Sequence, residues 1–275
     1  MPIERARIDR WLREDLGHHD VTNDVPGDST GRLVAKQEGV AAGTDAAAAV
    51  FDSLGATVET RTPPGEAIAP GDVVLSVSGP TAALLRGERV ATNVAGHASG
   101  IATRTRTAVS AAREVSDSVA VAGTRKTTPG LRGLEKRAVA AGGGDTHRLD
   151  LSHMAMIKDN HIAELGVEAA VERFAERASF ATLIEVEAES VETARTAAAA
   201  GADAVLLDNM GPAETDAAVA ALPDGVLTEA SGGIGLDDVA AYAATGVDVV
   251  SLGALTHSAP ALDLSFRTGG SSAPE

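Results

Sequence analysis

The chain has 275 residues with a formal net charge of −16, no cysteine, 2% aromatic and 44% hydrophobic residues. Without cysteine there is no disulfide, thiolate metal site or cysteine nucleophile; the acidity opposes duplex binding, and the aromatic poverty opposes stacking on single-stranded nucleic acid. No stretch nears the roughly 18 apolar residues of a membrane span, and residues 1–5 lack a signal-peptide core, so a cytoplasmic protein with neither membrane nor nucleic-acid partners is expected.

An amphipathic helix is predicted over 3–16, followed by a turn at 17–22. A strand is predicted over 32–40, an Ala-rich helix over 44–54, and short strands over 58–62 and 73–77 between Pro/Gly turns. Residues 82–115 keep a helical pattern punctuated by Gly87, Gly96 and Gly100, which predicts two helices or one broken helix linking two domains. Beyond it, short apolar runs recur at 119–122, 154–157, 183–186, 204–207, 226–228 and 247–251. The later ones alternate with helical patterns over 191–200, 213–222 and 236–245. Strand, helix, strand repeated in this way predicts right-handed βαβ units and a parallel sheet. Six units predict an α/β fold: an open, incomplete β/α barrel (104–267) after a smaller N-terminal α/β domain (1–103), with a disordered tail at 268–275.

Acids outnumber Lys and Arg by 39 to 23, and lysine occurs only at positions 36, 126, 136 and 158. So acidic a surface suits a salt-rich, halophilic cytoplasm, where screening relieves self-repulsion. Three of the four lysines fall between Arg125 and Lys158, where seven cations face three acids. Such a cluster can hold a multiply charged anion. Lys136 stands away from the strand ends and reads as a helix-surface residue.

Chemistry in β/α barrels gathers at the C-terminal ends of strands. The residues leaving these strands are Arg125 and Lys126, then Lys158, Glu187, Asp208, Glu229 with Ser231, Gly232 and Gly233, and finally Gly253. The glycines with Ser231 offer backbone N–H groups for a phosphate. Glu187 and Asp208 could share a Mg²⁺, and Glu185, on the same strand face as Glu187, competes for that place. Arg148, after the run Gly142–Gly144, can hold a carboxylate by two parallel hydrogen bonds, with His147 as a possible further donor. His153, His161 and Asp159 lack zinc-ligand spacing. No P-loop or Gly-x-Gly-x-x-Gly follows a strand, which argues against ATPase and dinucleotide functions.

At these residues the sequence resembles the quinolinate phosphoribosyltransferases. The strings carrying the resemblance are Glu88 to Asn93, Ser99 to Thr103, Thr124 to Arg132, Gly142 to Gly144, His147-Arg148, Ile157 to His161, Glu185-Val186-Glu187, Leu207 to Met210 and Glu229 to Ile234. The resemblance implies an open-barrel transferase, dimeric and Mg²⁺-dependent. It would join quinolinate to phosphoribosyl diphosphate, releasing CO2 and diphosphate and leaving nicotinate mononucleotide for NAD biosynthesis. It places Arg125, His147, Arg148 and Lys158 on the quinolinate carboxylates, with Arg89 arriving from the partner subunit. Lys126, Lys158, Glu187 and Asp208 would meet phosphoribosyl diphosphate and its Mg²⁺, and Ser231, Gly232, Gly233 and Gly253 would cradle phosphate. Thr146 and His153 depart from the family pattern, which carries Asn and Asp there. A monocarboxylate-specific relative would need fewer cations, and a non-catalytic phosphometabolite sensor would be weakened by the two carboxylates.

Overall fold

The computed structural model describes residues 5–269. These form two compact units by internal contact. The first comprises residues up to Arg106 with Thr128–Gly143 and the segment from Ser258 onward; the second comprises Thr107–Thr127 and Gly144–His257. The predicted tail at 268–275 falls largely outside the described residues, although Thr268 itself closes a strand.

In the first unit the chain runs α1 (Arg5–Leu16), β1 (Asp28–Ala35), β2 (Gly39–Val40), α2 (Thr44–Ser53), β3 (Thr57–Arg61), β4 (Ala67–Ile68), β5 (Val73–Pro80) and then α3 (Thr81–Arg113), which continues into the second unit. The segment predicted as one strand over 32–40 is two short strands, β1 and β2. α3 is one unbroken helix of 33 residues, not two. Its glycines mark close approach rather than breaks: a Cβ on Gly100 would lie 1.9 Å from the Pro260 carbonyl oxygen, and one on Gly87 would lie 2.7 Å from the Phe51 ring.

The second unit holds β6 (Ala120–Ala122). After it α4 (Arg132–Ala141) lies in the first unit, and the chain returns through β7 (Ala155–Ile157), α5 (Asp159–Leu165), α6 (Val167–Ala175), β8 (Ile184–Ala188), α7 (Val191–Ala199), β9 (Ala204–Asp208), α8 (Pro212–Ala221), β10 (Leu227–Ser231), a short 3-10 turn, α9 (Val239–Ala243), β11 (Val249–Ser251) and α10 (Ala254–His257). Among the described residues the six strands form one parallel sheet in the order β6-β11-β10-β9-β8-β7, so β6 and β7 are its open edges. Asp145 adds a single bridge beside Ala122 at one edge. Each predicted apolar run from 119 to 251 coincides with one of these strands.

Residues of alternating orientation divide the labour along each strand. On β8, Ile184, Val186 and Ala188 join an aliphatic core with Val205 and Leu207 of β9 and residues of α6, α7 and α8, while Glu185 and Glu187 turn to the opposite face. Burying a Leu or Ile side chain contributes about 1.5–3 kcal/mol, so this aliphatic layer fixes which face the glutamates take.

The last strand, β12 (Leu264–Thr268), was not expected from the sequence. It pairs antiparallel with β1 and completes a four-stranded sheet, β12-β1-β5-β3, in the first unit. Phe266 stacks on Phe51 with ring centroids 5.1 Å apart, and its ring fills the space that a Cβ on Gly31 would take. Lys136 corrects a second expectation. It is 2% exposed on α4, not a surface residue.

Among the described residues no helix is long and apolar enough to cross a membrane.

Candidate active site

Every sequence-read site residue except Arg89 lies in the second unit. Arg125 and Lys126 follow β6. Lys126 is tied down at its backbone, where Thr256 Oγ1 donates to the Lys126 carbonyl at 2.7 Å, and its side chain crosses Gly253 so closely that a Cβ there would sit 2.8 Å from Lys126 Cδ. That is the need for glycine at 253: it makes room for the lysine. Lys158 follows β7 and its ammonium pairs with the Glu187 carboxylate of β8. His161 accepts the Lys158 backbone N–H on Nδ1 at 2.9 Å and sets its ring edge-on to Phe174, which accounts for His161 structurally.

Asp208 ends β9 with Asn209 Nδ2 donating to its Oδ2 at 2.8 Å. Burial and then the neighbouring Glu187 raise its carboxyl above the ordinary range, while Lys158 and Lys126 pull the other way. Two carboxylates and two lysines that sense one another in this way form one cluster. The crowding of like charge suits a hard divalent cation with oxygen ligands. Glu187 pairs with Lys158, whereas Glu185 on the same strand face is 1% exposed.

Arg148 is 8% exposed, and its Nε and that of Arg125 are both buried with no hydrogen-bond partner among the described residues. Burial lowers the Arg148 pKa, the Glu185 charge countering first and Arg125 adding to the fall; the group stays cationic at neutral pH. Unmet buried donors on two neighbouring guanidiniums are costly unless an anion takes them.

Beneath the arginines lies an acid network whose roles the sequence did not reveal. Glu185 shares a hydrogen bond with Glu229, and burial followed by the Glu229 charge pushes the Glu185 carboxyl up to about 9. Glu229 moves the opposite way. Burial works against its charge, but hydrogen bonds from His147, Ser251 and Glu185 hold it ionised. One proton therefore sits on Glu185 and the charge on Glu229. His147 Nε2 is 2.8 Å from Glu229 Oε2, and the Ser251 and Ser231 hydroxyls are hydrogen-bonded at 2.9 Å. Ligand atoms of His147, Glu185 and Glu229 lie within 4.8 Å of one another, a spacing able to hold a metal ion. Glu229, expected to leave its strand, lies in the middle of β10, and its hydrogen bond to His147 across 82 residues carries no signal short of the fold.

His147 is held at both ring nitrogens. Its Nδ1 accepts the Arg148 backbone N–H at 2.6 Å and its Nε2 meets Glu229, so both ring nitrogens are engaged within the chain. Ser231 and Gly232 sit where the loop after β10 presses on Asn209: a Cβ on Gly232, at φ 98°, would fall 2.5 Å from the Asn209 nitrogen. Gly233 follows with φ 65°. Arg89 lies on α3 with its side chain 64% exposed, 4.0 Å from Glu88 Oε1. Of the two departures, Thr146 Oγ1 donates to the His147 carbonyl at 3.3 Å, and His153 Nδ1 accepts the Leu149 N–H at 3.2 Å.

Residues 20–99 match the family model "Quinolinate phosphoribosyl transferase, N-terminal domain" and residues 101–267 match its C-terminal counterpart. The chain is 43% identical over 274 residues to the probable nicotinate-nucleotide pyrophosphorylase [carboxylating] of Methanothermobacter thermautotrophicus, covering 96% of this chain and 98% of that one. It is 44% identical to the human nicotinate-nucleotide pyrophosphorylase [carboxylating], covering 95% and 90%. The solved nicotinate-nucleotide pyrophosphorylase from Francisella tularensis superposes with a TM-score of 0.90 at 30% identity, covering 97% of this chain and 98% of that one. With both domain models matched over 20–267, the chain belongs to the quinolinate phosphoribosyltransferase family.

Proposed function

We propose that the protein transfers the phosphoribosyl group of phosphoribosyl diphosphate to quinolinate with loss of CO2, giving nicotinate mononucleotide and diphosphate. The observation that carries this reading is the pair of buried, unmet guanidinium Nε groups on Arg125 and Arg148, set in one unit with the Lys126, Lys158, Glu187 and Asp208 cluster. A dicarboxylate satisfies two arginines, and a monocarboxylate leaves one donor set buried and unpaired. Arg125, Arg148 and Lys158 take the quinolinate carboxylates, with Arg89 supplied by the partner subunit of a homodimer. Lys126, Lys158 and the backbone around Ser231, Gly232, Gly233 and Gly253 take phosphate groups. Glu187 and Asp208 are the residues that would hold Mg²⁺, which supplies charge neutralisation on the leaving diphosphate.

The chain's own groups account for the bond changes. The ribose C1–O bond breaks with its electron pair passing to diphosphate, where Lys126 offsets the developing charge. The positive character left at C1 is stabilised by Glu187 and Asp208, and the pyridine nitrogen closes the new C–N bond. The quinolinate mononucleotide so formed, its carboxylates still held by Arg125 and Arg148, then loses CO2 from C2, and the electron pair left beside the cationic ring nitrogen takes a proton from water.

The experiment is incubation with phosphoribosyl diphosphate and Mg²⁺ plus either quinolinate or nicotinate, following nucleotide and CO2. Stoichiometric CO2 and nucleotide from quinolinate are expected. Product from nicotinate alone would overturn the decarboxylating reading, and tight binding without turnover would indicate a sensor.

A further inference from the structure

His147 is held from both sides of its ring. Nδ1 accepts the Arg148 backbone N–H, and a nitrogen that accepts carries no proton. The neutral ring therefore keeps its proton on Nε2 and donates it to Glu229. The backbone of His147 lies at φ 51°, a left-handed conformation that residues with a Cβ seldom adopt. Asp145 Oδ1 accepts its N–H at 2.6 Å and helps keep it there. Glu229 itself is 3% exposed on β10, flanked by β9 and β11, among the most constrained places in the sheet. A continuous line of hydrogen bonds thus runs from the Glu229 carboxylate through the His147 ring to the Arg148 backbone, and Arg148 carries one of the two unmet Nε donors.

We propose that Glu229 is a positioning residue for the pyridine dicarboxylate: by accepting the Nε2 proton it holds the His147 ring where Nδ1 takes the Arg148 backbone N–H, and so it sets the place of Arg148. The proposal rests on the quinolinate reading of the arginine pair. A metal ion at His147, Glu185 and Glu229 is the competing use of the same atoms. It would have to displace the Nε2 proton and lie beside the Arg148 cation, so the geometry favours the hydrogen-bonded line.

The test uses the full chain with Glu229→Gln and Glu229→Met. Gln keeps an oxygen for the Nε2 proton and an amide that can donate to Glu185; Met has similar length and offers neither. Nitrogen-15 spectra of the histidine rings, with His147 assigned by its own substitution, are expected to show a single Nε2–H tautomer in the wild type and in Glu229→Gln, and a mixture in Glu229→Met. The KM for quinolinate is expected to rise about tenfold in Glu229→Met, with Glu229→Gln near wild type and the KM for phosphoribosyl diphosphate unchanged in both. An unchanged His147 spectrum or an unchanged quinolinate KM in Glu229→Met would overturn the proposal, as would Zn²⁺ shifting the His147 ring signals of the free protein. If Glu229→Met does not fold, Glu229→Ala is read by the same criteria. The spectra need no turnover, so a wild type that ignores quinolinate sinks the functional reading while the tautomer result stands separately.

Discussion

Lys158 and Glu187 form an ion pair across two adjacent strands, one residue beyond the register pair Ile157 and Val186. The lysine therefore serves two ends, balancing Glu187 on one side and offering cationic surface to a ligand on the other. Replacing it leaves Glu187 and Asp208 with less opposing charge, and the Asp208 carboxyl should climb further. Lys158→Ala is expected to lower kcat on the order of a hundredfold without altering the circular dichroism spectrum. Turnover within a few-fold of wild type would remove Lys158 from the site.

The proton held by Glu185 gives stability a pH dependence of known sign. The folded carboxyl is raised from the ordinary 4.5 to about 9, so the native state keeps a proton that the unfolded chain releases. Stability from this group is present in full below 4.5 and falls as pH rises toward 9. Glu185→Gln, which cannot ionise, should lose less melting temperature than wild type across that window. Parallel melting-temperature curves for the two proteins would contradict it.

Gly100→Ala is expected to destabilise the first unit, because its Cβ would meet the Pro260 carbonyl oxygen at 1.9 Å. Overpacking against backbone of this kind costs about 1–3 kcal/mol. A melting temperature lowered by several degrees is the expected result, and an unchanged one would mean that the 258–262 segment yields freely.

Arg89 can be placed by mixing subunits. Arg89→Ala and Lys158→Ala chains should each be nearly inactive alone. If Arg89 crosses to the partner, unfolding and refolding the two together regenerates one intact site per mixed dimer, up to about a quarter of wild-type activity. No gain on mixing would assign Arg89 to its own subunit or to no site.

The charge excess can be tested with salt alone. Raising KCl from about 0.1 M to about 1 M shortens the screening length from about 10 Å to about 3 Å. With a net charge of −16, the melting temperature should rise over that range. A flat or falling curve would argue against a halophilic setting.

The barrel strands and the residues leaving them were legible because a buried parallel strand needs an uninterrupted apolar run and must end in a turn. That rule located Lys126, Lys158, Glu187 and Asp208. It could not rank Glu185 against Glu187, since both share a face and only the depth of β8 separates them. Nor could it show that His147 spends both nitrogens inside the chain, because Glu229 stands 82 residues away. Lys136 was misread because lysine is almost never fully buried, and nothing local marks α4 as an interior helix of its unit. β12 escaped notice because its partner, β1, is a matter of long-range pairing and not of local pattern.

That last pairing governs the order in which the protein can be made. During synthesis the second unit has all its strands once Ser251 has emerged, whereas β1 must wait for Leu264–Thr268 before the outer edge of its sheet is covered. An uncovered edge strand is a template for pairing with other chains. The first part of the chain to be made is therefore among the last to close, so a nascent chain halted before Leu264 exposes the unpaired edge of β1.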